Sequence, residues 1–210
     1  MIEKIDFDQV MDDRFSPEIH KKLKEGKVGI AGLGGLGSHI GEMLARSGVG
    51  HLHLVDFDIV DLSNLNRQIY RVPHIGRPKT EALKEHLLEI NPYLEITVDQ
   101  VTVTEENAEA LFSEDDIICE AFDNPENKAM LINTLLEKCP GKKVIAGSGM
   151  AGYGSSNTVV TRKIMKNFYL CGDGTTDIDH GTGLMAPRVT ICAGHQANMA
   201  VRLLLGILEE

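Results

Sequence analysis

Short apolar runs alternate with helical periodicity along most of the chain. The first run, residues 28–31, leads into Ile40, Met43, Leu44 and Ser47 at helical spacing, and Gly48-Val49-Gly50 ends that helix. Residues 52–56 form a second run. A further helix is predicted from Lys79 to about Ile90, with Leu83, Leu87 and Ile90 inward and Asn91-Pro92 as its stop. Leu94, Ile96 and Val98 then alternate with Glu95, Thr97 and Asp99, as in a strand with one wet face. Ala108, Leu111 and Phe112 mark a short helix, and residues 116–120 a buried strand. Pro125 starts a helix with Ile132, Leu135 and Leu136 facing the core, and residues 142–146 return as a strand.

This alternation predicts an α/β fold: a Rossmann-like, doubly wound, mostly parallel sheet with helices on both faces. After Gly147 the texture changes. Thr158-Val159-Val160-Thr161 and Phe168-Tyr169-Leu170 are too close together for a crossover helix, so they predict an antiparallel C-terminal extension. Residues 172–185, rich in Gly, Asp and Thr, read as a mobile loop. A last amphipathic helix carries Ala197, Ala200, Val201, Leu204, Leu205 and Leu208 on one stripe. At the other end, Ser16 as N-cap, Pro17 at the first helical position, Ile19 and Leu23 on one face and Gly26 as stop predict a short helix. The expected organisation is an N-terminal arm with a short helix at 1–26 and one nucleotide-binding domain at 27–210.

Candidate chemistry gathers between the first strand and Lys79. Gly32-Leu33-Gly34-Gly35-Leu36-Gly37 joins a strand to a helix, where glycines permit close approach and free N–H groups at the helix start face an anion. Asp56 ends the next strand, where a carboxylate can accept hydrogen bonds from ribose hydroxyls. Asp58 reads as a loop carboxylate in water. Residues 57–78 show no sustained period, and so long a loop in a compact domain is usually functional. It carries Asn64 and Arg67, which either tie the loop down or, with Lys79, face a triphosphate whose breakdown spreads negative charge over its oxygens. Lys79 at a helix start is electrostatically misplaced unless an anion is bound there.

Composition narrows the classes. The 210 residues suit one α/β domain, and 42% hydrophobic with 25% charged is ordinary for a globular protein. A net charge of −10 argues against nucleic acid, so Arg67, Arg71, Arg77 and Lys79 read as a local anion site in an acidic body. The first residues do not read as a signal peptide and no apolar run approaches spanning length, so a cytoplasmic protein without membrane contact is expected. Cys119, Cys139, Cys171 and Cys192 form no Cys-x-x-Cys pair, so neither structural zinc nor a disulfide framework is expected.

Taken together, the glycine loop, the stretch from Asp56 through Arg67-Gln68, Pro78-Lys79, Asp123-Asn124 and Met185-Ala186-Pro187 resemble the ThiF/MoeB/HesA family, the ubiquitin-activating-enzyme-like adenylyltransferases. The chain looks nearest to a short ThiF group member without the family's two zinc-binding Cys-x-x-Cys motifs. The resemblance implies ATP with Mg2+ as cofactors and a ubiquitin-fold sulfur-carrier protein, ThiS-like, with a C-terminal Gly-Gly, as partner. It also implies adenylylation of that carboxylate with release of pyrophosphate, in thiamine biosynthesis. Gly32, Gly34, Gly35 and Gly37 would line the phosphates and Asp56 hold the ribose. Asn64, Arg67 and Lys79 would stabilise the triphosphate, Asp123 would bind magnesium, and Arg14 of a homodimer partner would enter the site.

Each assignment has a plain competitor. Asp123 could cap the helix after Asn124-Pro125 instead of binding metal, or the two residues could divide these roles. Cys171 reads as core, with sulfur transfer as the alternative, and Cys119, Cys139 and Cys192 as structural; His180 and His195 read as surface or capping residues. A dinucleotide-dependent oxidoreductase would explain the glycine loop and Asp56 but leaves Arg67, Lys79 and Asp123 without work. A non-catalytic nucleotide-binding scaffold has no need of all three.

Overall fold

The apolar runs become seven strands: β1 (Lys27–Ala31), β2 (His51–Val55), β3 (Glu95–Asp99), β4 (Ile117–Glu120), β5 (Lys143–Gly147), β6 (Val160–Met165) and β7 (Phe168–Gly172). In the computed structural model, which describes residues 3–177 and 183–209, they form one sheet in the order β3-β2-β1-β4-β5-β7-β6. All neighbours run parallel except β6 and β7, the antiparallel extension. The strand order reverses between β1 and β4, the point at which open α/β sheets bind ligands beyond the carboxyl ends of their strands.

Period-two alternation divides the core. Val28, Ile30, Leu52, Leu54, Cys119 and Tyr169 pack with α3 (Gly35–Arg46), α4 (Lys79–Ile90) and α7 (Ala186–Leu204) on one face. Ala31, Val55, Ile118, Val144 and Ala146 pack with α5 (Ala108–Leu111) and α6 (Pro125–Lys138) on the other. Leu131 joins Leu135 as a buried residue of α6, while Ile132 and Leu136 flank that core, half-buried. Asn124 caps α6 by accepting the Asn127 N–H at 2.9 Å, and Asp123 stands exposed before it with no partner among the described residues. No described helix is long and apolar enough to cross a membrane.

The arm holds two helices, α1 (Lys4–Phe15) and α2 (Pro17–Glu25), where one was expected. No residue of α1 is buried, so it has no apolar stripe to betray it. It is held by Phe7 against the edge of Tyr93, by His20 on Asp12 at 2.6 Å and by Lys24 on Asp8 at 2.6 Å. On α2 the inward residues are His20 and Leu23, and Ile19 is exposed, contrary to expectation. On α7 the stripe also differs. Val189, Cys192, Ala193, Ala197, Met199, Ala200 and Leu203 are buried, whereas the helix stops at Leu204, so Leu205 caps it and Leu208 lies exposed beyond it. Part of the expected loop at 172–185, and His180 within it, lie outside the described residues. Residues 173–177 are organised by Asp173, whose Oδ1 accepts the N–H groups of Thr175 and Thr176 at 2.8 and 2.9 Å.

On the α5 face, His53 of β2 lies buried between two carboxylates, Asp115 at 2.8 Å on Nδ1 and Asp99 at 2.9 Å on Nε2. Its strand partner is Gly29, and a Cβ there would stand 2.6 Å from the Asp115 carboxylate. Burial opposes a charge on His53. The hydrogen bonds and charges of Asp115, and then of Asp99, outweigh it and hold the imidazole above the usual histidine value. A group raised on folding stabilises fully below its unfolded value, near pH 6.5, and that contribution disappears as pH rises through the folded value. The difference in melting temperature between the unmodified chain and His53→Gln should therefore be largest near about pH 6 and shrink toward about pH 9. A gap that does not change with pH would refute the ionic role. For the α6 cap, Asn124→Ala should cost about 1 kcal/mol in a urea titration, and Asp123→Ala less than about 0.5 kcal/mol. Equal losses would mean that Asp123 shares the cap.

Candidate functional site

The glycine loop is shaped by contacts that no side chain would fit. Gly32 has φ +90° and donates to the Val55 carbonyl at 2.9 Å, tying the end of β1 to β2. A Cβ on Gly37 would stand 1.8 Å from the Gly32 carbonyl oxygen, so the first turn of α3 lies directly on the loop. Gly34 is the N-cap of α3, and Gly35 packs against Val189 of α7. The backbone N–H groups at the start of a twelve-residue helix thus sit at the strand-end crevice, where an anion is favoured.

Asp56, one residue past β2, is buried and doubly engaged. Its Oδ2 accepts the Leu33 N–H at 2.6 Å and its Oδ1 the Asp58 N–H at 2.8 Å. Each oxygen keeps a second acceptor position, so the residue can order the loop and still receive a hydroxyl. Tyr70 completes the frame, its hydroxyl donating to the Leu33 carbonyl at 2.9 Å. Burial, with Asp56 and Asp58 nearby, pushes its phenol well up, so it remains a donor.

Lys79 opens α4 with its ammonium nearly buried, 2.8 Å from Asp58 Oδ2. Asp58 is exposed to water, as expected of a loop carboxylate, and is also the counter-charge of Lys79. Backbone pairing brings the two together: Ile59 bridges Pro78, and the Lys79 N–H donates to the Asp58 carbonyl at 3.0 Å. Asn64 Oδ1 accepts the Asp61 N–H at 3.0 Å in the cap of a 3₁₀ turn at Leu62–Asn66. Arg67 donates through Nη1 to Asn66 Oδ1 at 2.8 Å and to the Ser63 carbonyl at 3.3 Å; Nε and Nη2 have no partner among the described residues. Its Cγ lies 3.6 Å from where a Cβ of Gly35 would be, so the structure brings Arg67 to the start of α3. Asp123 belongs to the same end: its neighbour Phe122 and the Ala121 carbonyl both come within 2.9 Å of the Cβ position of Gly32.

Arg14 is the predicted site residue that this chain does not bring there. It is exposed in the last turn of α1, and the arm packs at the opposite end of the sheet, where Gly50 and His51 donate to the carbonyls of Leu23 and Gly26.

Sequence reasoning missed Arg188. Two residues into α7 and buried, it donates to the carbonyls of Gly154 and Ser155 at 2.9 and 2.7 Å, to Thr158, and to Asp173. Burial opposes the charge on Asp173; the Thr176 and Thr175 N–H groups, the Thr176 hydroxyl and Arg188 overcome it and hold the carboxyl well below the usual range. A lone arginine opening an apolar helix was the one available signal. Cys171 is buried beside Thr161 at 3.5 Å, and burial pushes its thiol up to about 11, which suits core and not a nucleophile. His195 takes a side-chain bond, to Thr161 at 3.0 Å.

Comparison with known proteins bears on the family and the fold. The molybdopterin-synthase adenylyltransferase of Escherichia coli is 34% identical over 192 residues, covering 88% of this chain and 75% of that protein. The adenylyltransferase and sulfurtransferase UBA4 of Candida glabrata is 37% identical over 134 residues, which is 63% of this chain and 30% of UBA4. Among solved structures, the E. coli tRNA N6-threonylcarbamoyladenosine dehydratase TcdA, solved in complex with AMP, superposes with a TM-score of 0.86 over 98% of both chains. At 20% identity that likeness speaks for the fold alone. The profile of the ThiF family matches residues 7–210, and the chain belongs to the ThiF family.

Proposed function

We propose that this protein joins AMP from ATP to the C-terminal Gly-Gly carboxylate of a ubiquitin-fold sulfur-carrier protein and releases pyrophosphate, and that the carrier is the ThiS-like protein of thiamine biosynthesis. The observation that carries the reading is the meeting, at one end of the sheet, of an open glycine loop, the Asp56 carboxylate, the Arg67 and Lys79 cations and the unpartnered Asp123. The names of the relatives support adenylyl transfer, and none of those given above names thiamine or its carrier. In this reading residues 27–210 are the adenylyltransferase domain, and the arm at 1–26 carries Arg14 to the site of the partner subunit in a homodimer. The reading takes the reaction to be cytoplasmic, where ATP is plentiful.

The carrier carboxylate is already ionised, so attack on the α-phosphorus needs no general base. As the new C–O–P link forms, the bond between the α-phosphorus and the bridging oxygen breaks, and that electron pair leaves with pyrophosphate. Charge therefore moves onto phosphate oxygens, and preorganised donors lower the barrier. The first turn of α3 supplies N–H groups, Arg67 its two unpartnered nitrogens and Asn64 its amide. Lys79 contributes a cation whose partner Asp58 keeps it in place before ATP arrives. Asp123 is the free carboxylate for Mg2+, which when bound neutralises phosphate charge. Among the described residues no group of three or more His, Cys, Asp or Glu is placed to hold a metal. That fits a magnesium ion held by one carboxylate together with substrate oxygens and water.

The test is ATP–pyrophosphate exchange with magnesium, run with a ThiS-like carrier, a molybdopterin-synthase carrier and no carrier. Label should enter ATP only with a carrier, fastest with the ThiS-like one. Arg67→Ala and Asp123→Ala should each slow exchange by about 10²- to 10³-fold. ATP binding without exchange for any carrier would refute the reading in favour of a scaffold. A preference for the molybdopterin-synthase carrier would refute the thiamine assignment alone.

A further inference from the structure

Glu120 ends β4 with its side chain fully buried, and Lys128, the fourth residue of α6, reaches it with an ammonium 2.5 Å from Oε2. The other oxygen, Oε1, accepts the Phe122 N–H at 2.7 Å, which closes the chain into a turn directly after the strand. Ala121 inside that turn donates to the Ala31 carbonyl of β1 at 2.8 Å. Its carbonyl and the Phe122 ring then fill the space that a side chain on Gly32 would occupy. Gln196 of α7 donates to the Glu120 carbonyl from the other side.

A charge at this depth is a poor way to stabilise a fold, because apolar residues of the same volume would avoid the desolvation of both groups. Burial indeed pushes the Glu120 carboxyl above its usual range against the opposing pull of Lys128 and the Phe122 N–H. What the pair enforces is direction: a carboxylate that must meet both an ammonium and one particular N–H admits a single path for residues 121–123.

We propose that Glu120 and Lys128 are positioning residues for Asp123, fixing the Ala121-Phe122 turn and thereby the place of the Asp123 carboxylate beside the glycine loop. This rests on the adenylation reading. Neither residue contacts substrate, and both act through the turn.

The experiment combines pyrophosphate exchange with hydrogen exchange at the Phe122 amide, in full-length Lys128→Met, Lys128→Arg, Glu120→Gln, Asp123→Ala and the Lys128→Met/Asp123→Ala double variant. Lys128→Met should lower kcat about 10- to 100-fold while the KM for ATP stays within about two-fold, and Lys128→Arg should recover most of the loss. The Phe122 amide should exchange faster in Lys128→Met and in Glu120→Gln. Once Asp123 is alanine, adding Lys128→Met should cost less than about two-fold more. Glu120→Gln is isosteric and decides the matter should Lys128→Met fail to fold. Additive losses in the double variant would overturn the proposal by placing Lys128 on the substrate itself. An unchanged Phe122 amide with unchanged kcat would overturn it by showing that the turn holds without the pair. A wild-type chain that exchanges no pyrophosphate with any carrier overturns the adenylation reading and the catalytic half of this one. In that case the Phe122 amide still decides whether the pair holds the turn.

Discussion

The carboxyl end of the sheet depends on one side chain, Asp56, accepting two backbone N–H groups at once. The bond from Leu33 ties the glycine loop to the end of β2, and the bond from Asp58 sends the chain toward α4 in a fixed direction. Leu33 is buried in the core, and an unpaired buried N–H there would cost on the order of 1 to 3 kcal/mol. A single carboxylate satisfies both donors. The Tyr70 hydroxyl then meets the Leu33 carbonyl, and Gly37 rests on the carbonyl of Gly32. The residues that shape the loop are thus distributed over β2, the 57–78 segment and α3, and the shape exists only when all three have come together.

A second regularity follows from the strand-to-helix joints. After β2, Asp58 pairs with Lys79 at the start of α4. At the end of β4, Glu120 pairs with Lys128 in α6, and after β7 Asp173 pairs with Arg188 in α7. In each case a carboxylate at a strand end meets a cation from the first residues of a helix. These cations lie where the helix dipole disfavours them, and the carboxylate offsets that cost. The Glu120 and Asp173 side chains are buried, so removing Lys128 or Arg188 leaves an uncompensated buried charge and costs about 3 to 5 kcal/mol, although the intact pair adds little net stability; Asp58 is half-exposed and would be left in water. The effect of these pairs is to limit each joint to one geometry at the end of the sheet where these connections meet.

The sheet was legible because its strands are apolar runs flanked by helical periods, and the antiparallel pair because the six residues between Thr161 and Phe168 cannot hold a crossover. Helix α1 was not legible, since nothing on it is buried and its attachments are polar contacts to α2 and one aromatic edge contact to Tyr93. The α7 stripe was misplaced at its end because Leu205 and Leu208 continue the apolar spacing past the point where the helix stops. For the site, glycine spacing and strand-end carboxylates could be read directly. Asp58 could not, because its meaning depends on Lys79, twenty-one residues away and brought close by the Ile59–Pro78 bridge. The Asp123 and Asn124 ambiguity is likewise one of geometry: both residue types cap helices, and the position of the Asn127 N–H selects Asn124. Glu120 and Arg188 each stand alone in an apolar segment, and their partners are set by tertiary packing.

β2 also shows how one short strand serves two purposes without conflict. Leu52 and Leu54 face the side of the sheet that α4 covers at β2. His53 faces the other way, into the Asp115 and Asp99 carboxylates, and only then does the strand deliver Asp56 to the glycine loop. His53 and Asp56 are three residues apart, about 10 Å along an extended chain, and the His53 cluster ties β2 to β3 and to the segment leading into β4. Because that cluster lies on the α5 face, and the catalytic candidates lie beyond the strand ends, a change in its protonation acts first on how firmly the strands are held. The alternation of side chains along this five-residue strand is what keeps the polar cluster on one face and the apolar residues on the other.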